Sequence, residues 1–155
     1  MIIKFKDLKV IRSKFRKQII VFAGGTFDLL HIGHIKYLKY LKELGDIVVI
    51  GVSTDVRVKM RKGKSRPILC QRERLAIIDA MKYVDYSLIM PKQLVHSVVP
   101  TLQIIHELTP NIFISADRRW LKYEHEIPSA TKLKIVTRSY ENSTTKIIRK
   151  VIKSF

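Results

Sequence analysis

Gln18-Ile19-Ile20-Val21-Phe22-Ala23-Gly24-Gly25-Thr26-Phe27-Asp28-Leu29-Leu30-His31-Ile32-Gly33-His34 reads as a buried strand that breaks at two glycines and reopens as a helix. The turn between such a strand and the helix after it is where α/β folds place phosphates. Two adjacent glycines let the backbone come close to a ligand and allow positive φ. His31 and His34 are three apart, so near the start of a helix they project from the same side. Gly33 between them leaves room for a phosphate or a base. The residue types alone keep three readings open: a phosphate-directed pair, a metal pair, or two structural histidines. The metal reading lacks the nearby cysteines or third ligand that a zinc site needs.

Outward from this stretch, short β-branched runs alternate with longer helical ones. The patterning predicts strands at 18–23, 46–52, 86–90, 111–115 and 134–137. It predicts helices at 33–44, 71–81, 101–108 and 144–153. Ile35, Leu38, Leu41 and Leu44 recur every three residues and give the first helix an apolar face. Gly45 stands where a helix commonly stops, Pro100 where one begins, and Pro110 just past its end. Strands apolar on both faces, alternating with helices, imply a parallel sheet covered on both sides. The expected fold is a single α/β domain: a Rossmann-like, doubly wound parallel sheet with helices on both faces. Residues 1–17 read as a basic amphipathic extension ahead of a domain at 18–155.

Composition bounds the function. A chain of 155 residues, 46% hydrophobic and 28% charged, is a globular composition with room for one core. The longest apolar run, 19–23, is far short of the ~20 residues that cross a bilayer, and the N-terminus has no signal-peptide pattern. Cys70 is the sole cysteine, so no internal disulfide forms and a cytoplasmic location is expected. Thirty Lys and Arg against thirteen Asp and Glu give a net charge of +17. That field gathers polyanions, whether nucleoside triphosphates, nucleic acid or an anionic membrane face, but it equally suits a solvated surface. Charge alone names no partner and only agrees with a polyanionic substrate, with contact to nucleic acid or an anionic membrane as the rival.

Gly25-Thr26-Phe27-Asp28 followed by His31-Ile32-Gly33-His34 resembles the signature of the cytidylyltransferase-like nucleotidyltransferases, whose hallmark is HxGH. Arg138, then Ser143-Thr144-Thr145-Lys146-Ile147, resembles the C-terminal motif of glycerol-3-phosphate cytidylyltransferases and of the adenylyltransferase domain of ADP-heptose synthases. Lys62-Gly63-Lys64-Ser65-Arg66-Pro67, Arg74 and Tyr83-Val84-Asp85-Tyr86 are similar to the heptose enzymes in particular. The likeness runs from about 18 to 152. Two departures stand out: Ser115-Ala116-Asp117-Arg118-Arg119 replaces a Gly-Asp pattern, and Ser139-Tyr140-Glu141-Asn142 replaces a small, Gly-containing spacer.

The resemblance implies transfer of a nucleoside monophosphate to a phosphorylated small molecule, with pyrophosphate released. An acceptor oxygen attacks in line at the α-phosphorus, so positioning and charge stabilisation do most of the work. His31, His34, Lys62 and Arg138 are the implied catalytic residues. Gly25, Thr26, Phe27, Asp28, Asp117, Ser143 and Thr144 are implied at the nucleotide, and Lys64 and Arg74 at the acceptor. Asp85 is implied as a structural or subunit-contact position. No protein metal site is implied; Mg²⁺ would ride mainly on the triphosphate. CTP with a glycerol-3-phosphate-like acceptor is the first expectation, ATP with a heptose phosphate the second. A basic module that binds without turnover is the third, and a homodimer is expected. Plain alternatives remain: Asp117 paired with a neighbouring arginine, Trp120 filling the core, and Ser143 or Thr144 as a simple helix cap.

Overall fold

The computed structural model describes residues 1–92, 98–137 and 143–154. Five strands form one all-parallel sheet: β1 (Ile20–Gly25), β2 (Ile47–Val52), β3 (Tyr86–Ile89), β4 (Ile112–Ser115) and β5 (Lys132–Ile135). Their order is β3-β2-β1-β4-β5, so the chain runs outward from β1 and then returns to β1's other side. That reversal leaves a crevice beyond the carboxyl ends of β1 and β4, the place where open α/β sheets bind ligands. The helices are α1 (Leu8–Lys14), α2 (Ile32–Glu43), α3 (Asp55–Lys62), α4 (Gln71–Asp79), α5 (Val99–Leu108) and α6 (Thr144–Ile152). A 3₁₀ segment spans Arg118–Glu126.

Side-chain alternation explains the two layers. Ile20, Phe22, Ile47 and Val49 face a core completed by α1, α5 and Trp120. Val21, Ala23, Val48, Ile50 and Val52 face the other, closed by Leu38 and Leu41 of α2 and Leu75 and Ile78 of α4. β1 and β2 are therefore apolar on both faces, as parallel strands buried under helices must be, whereas the edge strand β5 alternates Lys132 and Lys134 with Leu133 and Ile135. Lys42 Nζ and the Val48 N–H both donate to Asp85 Oδ2 at 2.7 Å, which ties α2 and β2 to the start of β3.

Two expectations are corrected here. Residues 1–17 do not stand off the domain: Ile3, Leu8 and Ile11 are buried in the first core, and Ile2 bridges Ser87 in parallel along the β3 edge. Arg12 Nη1 and the Ile20 N–H share Asn111 Oδ1. Ile35 is 40% exposed rather than buried, because a strict three-residue step drifts around a 3.6-residue helix. Gly45 does stand just past α2, whose C-cap is Leu44, but it keeps negative φ and so is not the left-handed stop common there. A Cβ on Gly45 would instead sit 2.7 Å from the Ile19 carbonyl oxygen and 2.7 Å from Val21 Cγ2. Gly45→Ala must push backbone apart, so we expect it to lower stability by about 1–3 kcal/mol, read by urea unfolding.

Candidate functional site

A cavity of about 880 Å³ opens at the switch point, lined by the Gly24–Asp28 turn, His31, His34, Lys62, Asp117, Ser143 and Thr144 among others. The turn that shapes it is built differently from the expectation. Neither Gly24 nor Gly25 has positive φ; the left-handed residues are Phe27 at 53° and Leu29 at 47°. The glycines are needed for space. A Cβ on Gly24 would strike Met90 Cε, and one on Gly25 would lie 2.6 Å from the Phe27 ring.

His31 is the N-cap of α2, and its Nδ1 accepts the Gly33 N–H at 3.1 Å. His34 Nδ1 in turn faces the His31 N–H at 3.4 Å. The rings lie 4.0 Å apart, centroid to centroid, and the Phe27 ring packs 5.6 Å from His34. With each Nδ1 turned to a backbone donor, the neutral imidazole carries its proton on Nε2. Both rings border the cavity. The helix N-terminus beneath them adds positive potential worth about 0.3–1 kcal/mol toward an anion. The two histidines thus cap a helix and line a ligand-sized space together.

Asp28 is expected at the nucleotide, yet its carboxylate is fully engaged by protein. It accepts from Arg66 Nε at 2.9 Å, Arg66 Nη2 at 2.8 Å, and the amides of Ile68 and Leu69 at 3.1 and 3.0 Å. Its carbonyl accepts the Thr144 hydroxyl at 2.6 Å. Asp28 therefore joins the turn, the segment after α3 and the start of α6. Ser143 caps α6 by accepting the Lys146 N–H, so the plain cap and the cavity lining are both realised.

Arg74 departs furthest from expectation. It is fully buried and is not among the residues lining the cavity. Its Nε donates to the Leu69 carbonyl, Nη1 to the Thr26 carbonyl, and Nη2 to the Ser53 carbonyl and to Asp55 Oδ1. A guanidinium so occupied supports the phosphate turn from below and has no reach to an acceptor. Lys62, the last residue of α3, does line the cavity, whereas Lys64 is exposed and lies outside it. Arg138 lies outside the described residues.

Asp117 caps the 3₁₀ segment and forms an ion pair with Arg119 at 2.6 Å, while still bordering the cavity. The hydrogen bond from Arg119 holds its carboxyl below the usual carboxylate range, against an opposing effect of burial. Trp120 packs edge-on against Phe113 at 4.7 Å and is buried, with one side on the cavity. The sequence reading missed Arg57, Arg61 and Arg119, which all line the same space. Arg57 and Arg61 belong to α3, which was not anticipated; Thr54, whose hydroxyl accepts the Arg57 N–H, was its available signal. Among the described residues no three His, Cys, Asp or Glu side chains gather to hold a metal ion.

Comparison with known proteins agrees with this geometry. Residues 22–154 match the family model described as cytidylyltransferase-like. The bifunctional protein HldE of Citrifermentans bemidjiense is 32% identical over 161 residues, covering 98% of this chain and 32% of that protein. HldE of Campylobacter jejuni subsp. jejuni serotype O:2 is 32% identical over 149 residues, covering 96% of this chain and 31% of its own length. The chain thus spans about a third of these relatives. Among solved structures, the lipopolysaccharide core biosynthesis protein from Thermoplasma volcanium GSS1 superposes with a TM-score of 0.62 at 30% identity, over 81% of this chain and 99% of that one. Pantoate-beta-alanine ligase from Francisella tularensis, at 17% identity and TM-score 0.65 over 100% of this chain and 78% of that one, shares the fold. With the family model spanning the switch-point cavity and its paired imidazoles, the chain belongs to the cytidylyltransferase-like family of nucleotidyltransferases.

Proposed function

We propose that the chain transfers an adenylyl group from ATP to a sugar phosphate. An oxygen of the acceptor phosphate forms the new bond to the α-phosphorus. The bond to the bridging oxygen breaks, and pyrophosphate leaves with that electron pair. The observation that carries this reading is the pair of cavity-lining imidazoles whose Nδ1 atoms are turned to backbone N–H groups. In this reading their Nε2 N–H groups donate to oxygens that gain charge in the transition state. Ser143 and Thr144 at the start of α6 offer a second set of donors to the triphosphate. Because Asp28 is saturated by Arg66 and two amides, Mg²⁺ fits best as the triphosphate's own counter-ion. Bound there, it would neutralise charge on the departing pyrophosphate.

CTP with a glycerol-phosphate-like acceptor, the first expectation from sequence, is the second reading. The Thr26-Phe27-Asp28 turn and the Ser143–Ile147 motif favour it, while the HldE relatives favour ATP and a sugar phosphate. A pyrophosphate-release matrix separates them: ATP, CTP, UTP and GTP against sugar, glycerol, choline, ethanolamine and flavin phosphates. We expect saturable release with ATP and a sugar phosphate. Release confined to CTP with glycerol phosphate moves the assignment to the second reading, and silence from folded protein across the matrix removes turnover altogether.

A further inference from the structure

Basic side chains gather on the cavity. Arg57, Arg61, Lys62 and Arg119 all border it. Asp117 is bound to Arg119, and Asp28 is bound to Arg66, which does not border the cavity. Arg57 is the unusual member. Its Nη1 is shut off from solvent and has no hydrogen-bond partner. Burial first, and then the nearby charges of Arg61 and Arg119, pull its guanidinium below the ordinary arginine value. An arginine stays charged in a protein, so this group is held desolvated and among like charges. A buried donor without a partner is costly, more so when it is charged. Such a cost persists where a ligand relieves it.

We propose that Arg57, with Arg119 and Arg61 beside it, forms the subsite that holds the phosphate of the acceptor. This inference rests on the nucleotidyl-transfer reading of the same cavity and deepens it by assigning the acceptor's place. The three arginines come from two elements, α3 after β2 and the 3₁₀ segment after β4, which lie on either side of β1 and meet over the cavity. The His31 and His34 pair and the α6 N-terminus come from other elements and serve the triphosphate. Arg57 borders the cavity, and a planar guanidinium suits two phosphate oxygens at once, which a lysine does not. The acceptor class that follows is one whose phosphate enters as a dianion; neutral polyols and alcohols have nothing to offer these arginines.

Arg57→Met and Arg57→Lys test it, with inorganic phosphate as the probe in binding and the matrix-positive acceptor in turnover. In the apo protein we expect Arg57→Met to be as stable as the parent or more so, because it removes a desolvated like charge. Inorganic phosphate should raise the parent's melting temperature, and that rise should shrink strongly in Arg57→Met. In turnover the acceptor KM should rise about 10- to 100-fold, as for loss of a charge-assisted bond, while the ATP KM stays within about twofold. Arg57→Lys should restore little of the affinity. A clear loss of apo stability with unchanged phosphate response would make Arg57 structural and overturn the proposal. So would a rise in ATP KM alone. An inactive parent protein is a different outcome: it removes the transfer reading, while the phosphate-dependent melting shift still reports on the subsite.

Discussion

Arg74→Met lowers the unfolding free energy by about 3–5 kcal/mol, the range for removing one partner of a buried, hydrogen-bonded charge pair. At this chain length that is a fall in melting temperature of about 6–20 °C. Methionine fills much of the volume, so the loss is chiefly electrostatic. The Thr26, Ser53 and Leu69 carbonyls lose their donor, and Asp55 loses its guanidinium. Thr26 belongs to the phosphate turn, so the damage continues into the cavity and both substrates are affected together. Had Arg74 held the acceptor, the variant would raise the acceptor KM alone and melt like the parent. Denaturant unfolding beside steady-state kinetics separates the two.

His34→Ala lowers kcat about 100- to 1000-fold, the usual effect of deleting one well-placed transition-state donor. The fold persists, because His34 is half-buried and the hydrogen bond its ring accepts at the helix start is long, at 3.4 Å. His31 needs a different control, since it is the N-cap of α2. His31→Ala loses cap and donor at once and costs about 0.5–2 kcal/mol of stability in addition. His31→Asn keeps an oxygen that can accept the Gly33 N–H. It should retain the stability and still lose the rate. If His31→Asn and His34→Ala both turn over at the parent rate, the imidazoles are helix caps and nothing more.

The layer structure was legible because each core strand is apolar on both faces and each long helix has a spaced Leu/Ile stripe. Leu38 and Leu41 mark α2, and Leu102, Ile105 and Leu108 mark α5. The start of the sequence was less legible. Seven basic residues between 4 and 17 obscure Leu8 and Ile11, the two helix positions that reach the core. α3 was hidden for another reason. Val56, Val58 and Met60 alternate as in a strand, and only Val58 is buried, so its hydrophobic period does not report a helix. The site was readable where its residues are contiguous, in the turn and the HxGH segment. It was not readable where the roles depend on contacts across the fold. Asp28 and Arg74 both sit in segments that resemble family motifs, yet each is consumed by backbone partners far along the chain. Motif position says that a residue matters there; only the partner atoms say whether it faces ligand or scaffold.

The most direct measurement is a single-turnover comparison of the parent and His34→Ala at saturating ATP and acceptor, with ATP affinity measured separately. If the two Nε2 donors act on the reacting phosphorus, the first-order rate of adenylyl transfer falls about 100- to 1000-fold while the ATP Kd changes only a few-fold. An unchanged transfer rate, or a loss expressed wholly in ATP binding, contradicts a role for these imidazoles in the displacement.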